Sequence, residues 1–263
     1  NALRQGTMQA SERAFTDYLI IGSGLAGLAA ALKAARHGKV TIVTKRQAEE
    51  CNTRYAQGGI ACVIRDEDSF ESHVSDTLKA GAGLCHPDVV RSIVSDGPAR
   101  IQDLLDWGIH FTLRGEVSER LEVEEAETFD LGREGGHSER RILHSGDITG
   151  NELVTVLLER CRELPQIEIL ENHLAIDLIS TRHAKWQGEN CCIGAYVMDR
   201  DSGCIKTLVS DCTILATGGA GKVYLYTSNP DVANGDGIAM AYRAYAEISN
   251  MEFFQFHPTC LYH

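Results

Sequence analysis

Residues 17–45 read DYLIIGSGLAGLAAALKAARHGKVTIVTK, and this stretch decides the fold. An apolar run ends in Gly22-x-Gly24-x-x-Gly27, an alanine-rich helical segment follows, and Gly38 leads into a second, β-branched run. This order is typical of a βαβ unit that binds a dinucleotide. The first glycine allows the tight turn, the second lets backbone approach a pyrophosphate, and the third lets helix pack on strand. The helix N-terminus directs its N–H groups at the phosphates.

The unit lacks the acidic residue that usually follows about twenty positions on and binds a ribose hydroxyl. The chain has Thr44, Lys45 and Arg46 after the second run instead. Thr44 can hydrogen-bond a ribose less strongly than a carboxylate can, and Lys45 can reach an adenosine phosphate or ribose. NAD is therefore a less obvious ligand than the glycine motif alone indicates. An ordinary strand–helix turn is the alternative explanation of the glycines.

Composition limits the class of protein. With 263 residues, 43% of them hydrophobic, the chain can bury a sizeable core in one large or two small domains. A formal net charge of −12 argues against nucleic acid or an anionic membrane as a partner, and no apolar stretch is as long as a membrane span. Nine cysteines without a CxxC pair predict reduced, mostly buried thiols in a cytoplasmic protein and no metal site.

The remaining pattern predicts one α/β domain rather than two domains in series. Residues 1–16 lack the apolar core of a signal peptide and are expected to form a loose tail. The acidic run at 121–127 is typical of a solvated, mobile face, and residues 51–61 are too glycine-rich for a helix. Periodicity and turn residues predict helices at 69–80, 87–107 (broken by Gly97-Pro98) and 149–164, then strands at 166–170, 174–180, 191–199 and 204–216.

Four further segments carry a resemblance to a known family. They are Tyr55-Ala56-Gln57-Gly58-Gly59, Ala216-Thr217-Gly218-Gly219, Asn234-Gly235-Asp236-Gly237-Ile238-Ala239-Met240-Ala241 and Gln255-Phe256-His257-Pro258-Thr259. Together with the N-terminal glycines, they resemble the flavoprotein family of aspartate oxidases, fumarate reductases and succinate dehydrogenases. The resemblance implies a Rossmann-like FAD-binding domain, a βαβ unit with an additional β-meander, over residues 17–255. A capping domain would begin at 256–263, so the domain is truncated before it.

The resemblance also implies which residues hold the FAD. The Ala-Thr-Gly strand end would close on the dinucleotide, Asp236 would lie near the flavin, and the strand near Leu174 would offer backbone to the adenine. A glycine turn or a helix start is the alternative explanation of each motif. The predicted cofactor-binding residues are Gly22, Ser23, Gly24, Leu25, Ala26, Gly27, Thr44, Lys45, Asn52, Thr53, Arg54, Tyr55, Ala56, Gln57, Gly58, Gly59, Leu174, Ala175, Thr217, Gly218 and Asp236.

Two positions separate the members of this family. Asn52 stands where succinate dehydrogenases and membrane fumarate reductases carry the histidine that bonds covalently to FAD, so non-covalent FAD is expected. Glu134 stands where those enzymes have phenylalanine, and a carboxylate there suits a substrate with an ammonium group. Both departures resemble the aspartate oxidase branch. The alternative for Glu134 is a surface acid that extends the acidic run.

This branch implies FAD-dependent oxidation of L-aspartate to iminoaspartate for NAD biosynthesis. Oxygen or fumarate would accept the electrons, and quinolinate synthase would be a partner protein. The predicted catalytic residues are His257, on a substrate carboxylate, and Glu134, on the substrate amino group. A lone histidine is more often structural, but His257 lies inside a matching motif. The weaker candidates are His137, His144, Arg140 and Arg141.

Family members continue well beyond the position of His263, and the continuation carries further substrate-binding and flavin-binding residues. We therefore expect this chain alone to show little or no oxidase activity and weakened FAD binding. Two alternatives stay open at this point. One is a soluble fumarate reductase-like flavoprotein, and the other is a non-catalytic nucleotide-binding fragment.

Overall fold

A computed structural model describes residues 13–114, 129–146 and 148–256 of the chain. The strands are β1 (Arg13–Ile21), β2 (Val40–Val43), β3 (Ile60–Ala61), β4 (Leu131–Gly132), β5 (Ile142–Leu143), β6 (Ile167–Leu170), β7 (His173–Ser180), β8 (Cys192–Asp199) and β9 (Ile205–Leu215). The helices are α1 (Leu25–Ala34), α2 (Phe70–Ala80), α3 (Pro87–Asp106), α4 (Thr149–Glu163) and α5 (Asp236–Arg243).

The main sheet has six strands in the order β6-β2-β1-β9-β8-β7. The first four strands run parallel to one another, and β9, β8 and β7 form an antiparallel meander. The parallel pair β1 and β2 with α1 between them is the βαβ unit expected from residues 17–45. The predicted Rossmann-like unit with an additional meander is therefore confirmed.

The two central strands are buried on both faces, which explains their almost continuous apolar sequence. Ile20 and Ile42 point to the face covered by α1 and α4. Leu19, Ile21 and Val43 point to the opposite face, where they pack against the meander and α5. Because successive strand residues alternate between faces, a single strand contributes to both cores.

Strand β1 begins earlier than the sequence predicts. Residues 13–16, predicted as part of the tail, pair in parallel with β9, from Arg13 opposite Thr207 to Thr16 opposite Ser210. Their side chains are mostly exposed, so no apolar pattern marks them, and backbone pairing with the long partner strand extends β1. Residues 1–12 of the predicted tail lie outside the described residues, and the domain boundary at 255–256 stays a prediction.

The expected break in the second helix was wrong. Helix α3 runs without interruption through Gly97 and Pro98. Proline removes one helical N–H donor, but α3 buries Val94 before the proline and Ile101 and Leu104 after it. Packing on both sides of Pro98 therefore holds one helix together.

The expectation of mostly buried cysteines was also wrong. Within the described residues Cys191, Cys192, Cys204 and Cys212 are exposed, and Cys51, Cys62 and Cys161 are buried. Cys192 and Cys212 lie in the meander strands β8 and β9, and Cys191 and Cys204 lie next to those strands.

A second sheet, in the order β3-β5-β4, was not predicted because each strand has only two residues. The segment expected as a polar loop begins with a turn of 3-10 helix at Asn52–Tyr55 and ends in β3. The acidic run at 121–127 lies outside the described residues. Among the helices that the structure describes, none is long and apolar enough to cross a membrane.

The contact between α1 and β1 yields a test of the fold. A Cβ atom at Gly27 would overlap the carbonyl oxygen of Gly22. We expect Gly27→Ala to push α1 off the sheet and to lower the free energy of unfolding by about 1–3 kcal/mol, measured by urea denaturation. Gly135→Ala is the matched control, because nothing lies within 4 Å of its added Cβ. Equal stability of the two variants would contradict the contact.

Candidate cofactor site

A cleft forms where three parallel strands end at the same edge of the main sheet. Strands β1, β2 and β9 end at Ile21, Val43 and Leu215. The ends are joined by hydrogen bonds, since Gly22 N donates to Val43 O at 2.9 Å and Ala216 N donates to Ile21 O at 2.8 Å. The carboxyl edge of a parallel sheet is where nucleotide cofactors bind in such folds.

Gly22 allows this close approach. Its φ of +116° is a conformation that favours glycine, and an added Cβ would overlap the carbonyl oxygen of Ala216. The sequence interpretation of Gly22 as the residue of the tight turn agrees with this geometry.

The N-terminus of α1 opens into the cleft. Gly24 is the N-cap residue and provides no side-chain cap. The hydroxyl Oγ1 of Thr53, from the turn at 52–55, accepts a hydrogen bond from Leu25 N at 3.1 Å. The first turn of a helix carries unpaired N–H groups and a positive partial charge. This end of the cleft can therefore hold an anionic group such as a pyrophosphate.

The other end of the cleft is polar and carries a matched pair of charges. Ser23 Oγ donates to Thr44 Oγ1 at 3.1 Å. Lys45 Nζ forms an ion pair with Asp236 Oδ2 at 2.6 Å and donates to Asn234 Oδ1 at 2.6 Å. The Lys45 side chain thus connects the end of β2 to the start of α5 at the cleft.

Most of the predicted cofactor-binding residues line this cleft. Those in its wall are Gly22, Ser23, Gly24, Leu25, Ala26, Thr44, Lys45, Asn52, Thr53, Leu174, Ala175, Thr217, Gly218 and Asp236. These residues run from position 22 to position 236 of the chain, and the sheet brings them together because its parallel strands end at one edge.

The other predicted cofactor-binding residues do not line the cleft, namely Gly27, Arg54, Tyr55, Ala56, Gln57, Gly58 and Gly59. Gly27 instead faces the backbone of Gly22. The phenol of Tyr55 donates to the Glu50 carboxylate at 2.9 Å. The chain after the turn leads away from the cleft towards β5, where Gly59 packs on the backbone of Leu143.

Sequence reasoning missed several wall residues, namely Ile21, Val43, Glu50, Cys51, His173, Val232 and Ala233. Most of them directly adjoin a predicted residue, so strand and loop continuity was an available signal. Val232 and Ala233 belong to no motif, so no signal in the sequence indicated them. Burial raises the pKa of the Cys51 thiol, which stays neutral in the wall.

Glu134 lies outside the cleft wall. Its side chain is exposed, and an added Cβ at Gly58 would come within 3.3 Å of Glu134 Oε1. The structure therefore brings together two predicted motifs, the glycine pair at 58–59 and the loop at 133–138. His257, the other predicted catalytic residue, lies outside the described residues.

A buried ion cluster, formed by Asp68, Asp76 and Arg141, lies under this loop. Arg141 is fully buried. Its Nε and Nη2 donate to the two carboxylate oxygens of Asp68, and its Nη1 donates to Asp76 Oδ2, each at 2.7 Å. Asp76 also accepts from Ser138 N and Oγ, both at 2.8 Å. The Ser138 N–H and the Arg141 guanidinium lower the pKa of Asp76 to about 2.

The cluster fastens the loop at 133–138 to helix α2, since Asp76 lies on that helix and Ser138 lies in the loop. The three weaker candidates around it do not line the cleft either. Arg141 Nη1 lies 3.3 Å from His137 Nδ1, Arg140 Nη1 donates to Leu131 O, and His144 Nε2 lies 3.6 Å from the Asp130 carboxylate. Arg141 is thus a structural residue of the loop, not a cleft residue.

Comparison with known proteins agrees with the interpretation of the cleft as a dinucleotide-binding site. A family model described as an FAD binding domain matches residues 17–263. The chain belongs to this FAD binding domain family. Its cofactor is FAD.

Relatives of this FAD binding domain have longer chains. It is 50% identical over 249 residues to L-aspartate oxidase 1 of Ralstonia nicotianae, covering 94% of this chain and 45% of the relative. It is 48% identical to L-aspartate oxidase of Yersinia pestis, covering 97% and 47%. An E. coli quinol fumarate reductase FrdA structure matches with a TM-score of 0.79 and 30% identity, over 88% of this chain and 37% of that one. The chain therefore spans less than half the length of these proteins.

The FAD binding domain has features that fit a dinucleotide. Asn52 Oδ1 is buried without a hydrogen-bond partner among the described residues, and Asn52 lines the cleft. The open N-terminus of α1 supplies donors for phosphate oxygens, and apolar residues such as Ile21, Val43 and Ala175 line the same space. Buried polar atoms are normally paired, so the Asn52 amide is suited to a ligand.

Removal of the Arg141 cation tests the cluster. Arg141→Met leaves Asp68 and Asp76 buried without their cation, which costs about 3–5 kcal/mol. We expect a lower midpoint of urea unfolding and faster proteolytic cleavage within 133–138. Arg160→Met is the matched control, because Arg160 forms an exposed ion pair with Glu163, and such pairs contribute about 0–1 kcal/mol. Similar losses in both variants would contradict the role of the cluster.

Proposed function

We propose that this chain is the FAD-binding portion of an enzyme that oxidises L-aspartate to iminoaspartate. The observation that carries the proposal is the identity of 48–50% to proteins named L-aspartate oxidase, over 94–97% of the chain. The FrdA match has a lower identity of 30%, so an aspartate oxidase is favoured over a fumarate reductase.

Asn52 supports non-covalent FAD. It lies in the cleft wall, and an amide does not form the covalent bond that a histidine forms with FAD. The amide can instead hydrogen-bond the cofactor through its buried Oδ1, which has no partner among the described residues.

Glu134 supports an amino-acid substrate. Its carboxylate lies beside Gly58, on a loop that the buried ion cluster fastens to α2. A carboxylate held there can accept a charge-assisted hydrogen bond from a substrate ammonium group. Succinate and fumarate have no such group, so Glu134 would distinguish aspartate from them.

The chain's share of the reaction is binding and orientation. Bound FAD supplies the ring that accepts two electrons from the substrate. The α1 N-terminus holds the pyrophosphate, and Glu134 orients the substrate amino group so that the Cα–H bond faces the cofactor. Loss of this hydrogen with its electron pair to the cofactor, and of two protons from the ammonium nitrogen to solvent, converts the bound ammonium form of the substrate to the neutral imine. The substrate contact of His257, the acceptors oxygen and fumarate, the partner quinolinate synthase and the cytoplasmic location stay predictions.

FAD titration tests the cofactor half of the proposal. We expect saturable quenching of flavin fluorescence by the purified chain, and at least tenfold weaker binding in Gly24→Val, whose side chain fills the space where backbone meets the pyrophosphate. Gly135→Val is the control, since that glycine does not line the cleft. Absence of saturable FAD binding by the wild-type chain would contradict the proposal.

Substitution of Glu134 tests the substrate half. We expect Glu134→Gln to weaken L-aspartate binding by about 10–100-fold, the value of one charged hydrogen bond, and succinate binding much less. Binding is followed by the perturbation of the flavin absorbance spectrum. Glu139→Gln is the matched control, because Glu139 is also exposed and follows the loop by one residue. Equal weakening of aspartate and succinate would favour a fumarate reductase-like enzyme instead.

A further inference from the structure

His173 is a cleft residue that the sequence motifs did not predict. It is the first residue of β7, and it lines the cleft together with Val43 and Thr44. Its backbone N donates to Thr44 O at 2.9 Å. His173 therefore lies beside the position where dinucleotide-binding folds usually carry the acid that binds a ribose hydroxyl, and where this chain has Thr44.

The hydrogen bond of Nδ1 fixes the tautomer of the neutral imidazole. Nδ1 lies 2.7 Å from the backbone oxygen of Glu171. A carbonyl oxygen only accepts hydrogen bonds, so Nδ1 carries a proton, and in the neutral form of the imidazole Nε2 is therefore the acceptor. Nε2 is buried and has no partner among the described residues. An unpaired buried acceptor is costly, so it is suited to a donor on a ligand.

We infer that His173 Nε2 accepts a hydrogen bond from a ribose hydroxyl of the adenosine half of FAD. This inference rests on FAD binding in the cleft. In that half of the cofactor the phosphates only accept, so the available donors are the ribose hydroxyls and the adenine amino group. The backbone link to Thr44 places His173 on the ribose side, while Leu174 and Ala175 lie further along β7.

The arrangement explains the missing acid. A neutral imidazole supplies the acceptor that a carboxylate supplies elsewhere, without adding a negative charge. The local charges are already matched, because Asp236 pairs with Lys45 at 2.6 Å. His173 is thus a specificity-determining residue for the ribose, and Thr44, whose Oγ1 accepts from Ser23, is a neighbour rather than the main ribose ligand.

Two variants and three nucleotides test this inference. His173→Phe keeps a planar ring without an acceptor, and His173→Gln restores an acceptor oxygen. Calorimetry measures binding of ADP, of 2′,3′-dideoxy-ADP, which lacks the ribose hydroxyls, and of inosine diphosphate, which lacks the adenine amino group. FAD binding is measured in parallel by flavin fluorescence.

For the wild-type chain we expect about tenfold tighter binding of ADP than of dideoxy-ADP, as one hydrogen bond gives. In His173→Phe this preference should vanish and FAD should bind about tenfold more weakly, while His173→Gln should recover most of both effects. The inosine nucleotide should lose the same affinity in wild type and His173→Phe.

Four results would overturn the inference. They are an unchanged preference in His173→Phe, a preference that depends on the adenine amino group instead, failure of His173→Gln to recover binding, and equal FAD affinity in all variants. If the wild-type chain bound no FAD, the cofactor proposal would fail with it. If FAD bound equally to all variants, only the role of His173 would fail.

Discussion

The structure depends on the close contact between the ends of two neighbouring parallel strands. Gly22, after β1, and Ala216, after β9, approach so closely that any side chain at position 22 would overlap backbone. This contact aims the turn after β1 into the cleft and sets where α1 begins. Thr53 then bonds the first turn of that helix, so the open N–H groups face the space that the strand ends enclose.

The cleft and the loop at 133–138 are held by different physical means. The cleft wall relies on backbone pairing and on two apolar cores, one on each face of the sheet. The loop is held by the buried Arg141 cation, which lies between two carboxylates. The described strands that flank the loop, β4 and β5, have two residues each. Glu134 therefore depends on charges, whereas the cofactor edge depends on packing and backbone geometry.

Sequence reasoning found the elements with strong local signals. The glycine spacing from Gly22 and the β-branched run before Thr44 predicted the βαβ unit, and turn residues predicted the meander. It failed where long-range contacts override local preference, as in α3, which continues through Pro98 because residues on both sides are buried. His173 adjoins the predicted Leu174, but its hydrogen bond to Thr44 joins strands far apart in the chain, and the sequence did not indicate that contact. Glu134 was predicted from the family resemblance and its role stays a prediction, and the sequence did not indicate that it lies outside the cleft wall.

The Arg141 cluster has a consequence for how the proposed substrate preference of Glu134 could be changed. The loop that carries Glu134 shares its supporting charges with α2, which lies more than fifty residues earlier in the chain. A loop transplanted from a relative with another preference would meet Asp68 and Asp76 with or without a matching cation. The transplantable unit is therefore the loop together with the two carboxylates beneath it, and a design that moves the loop alone leaves a charge imbalance in the interior.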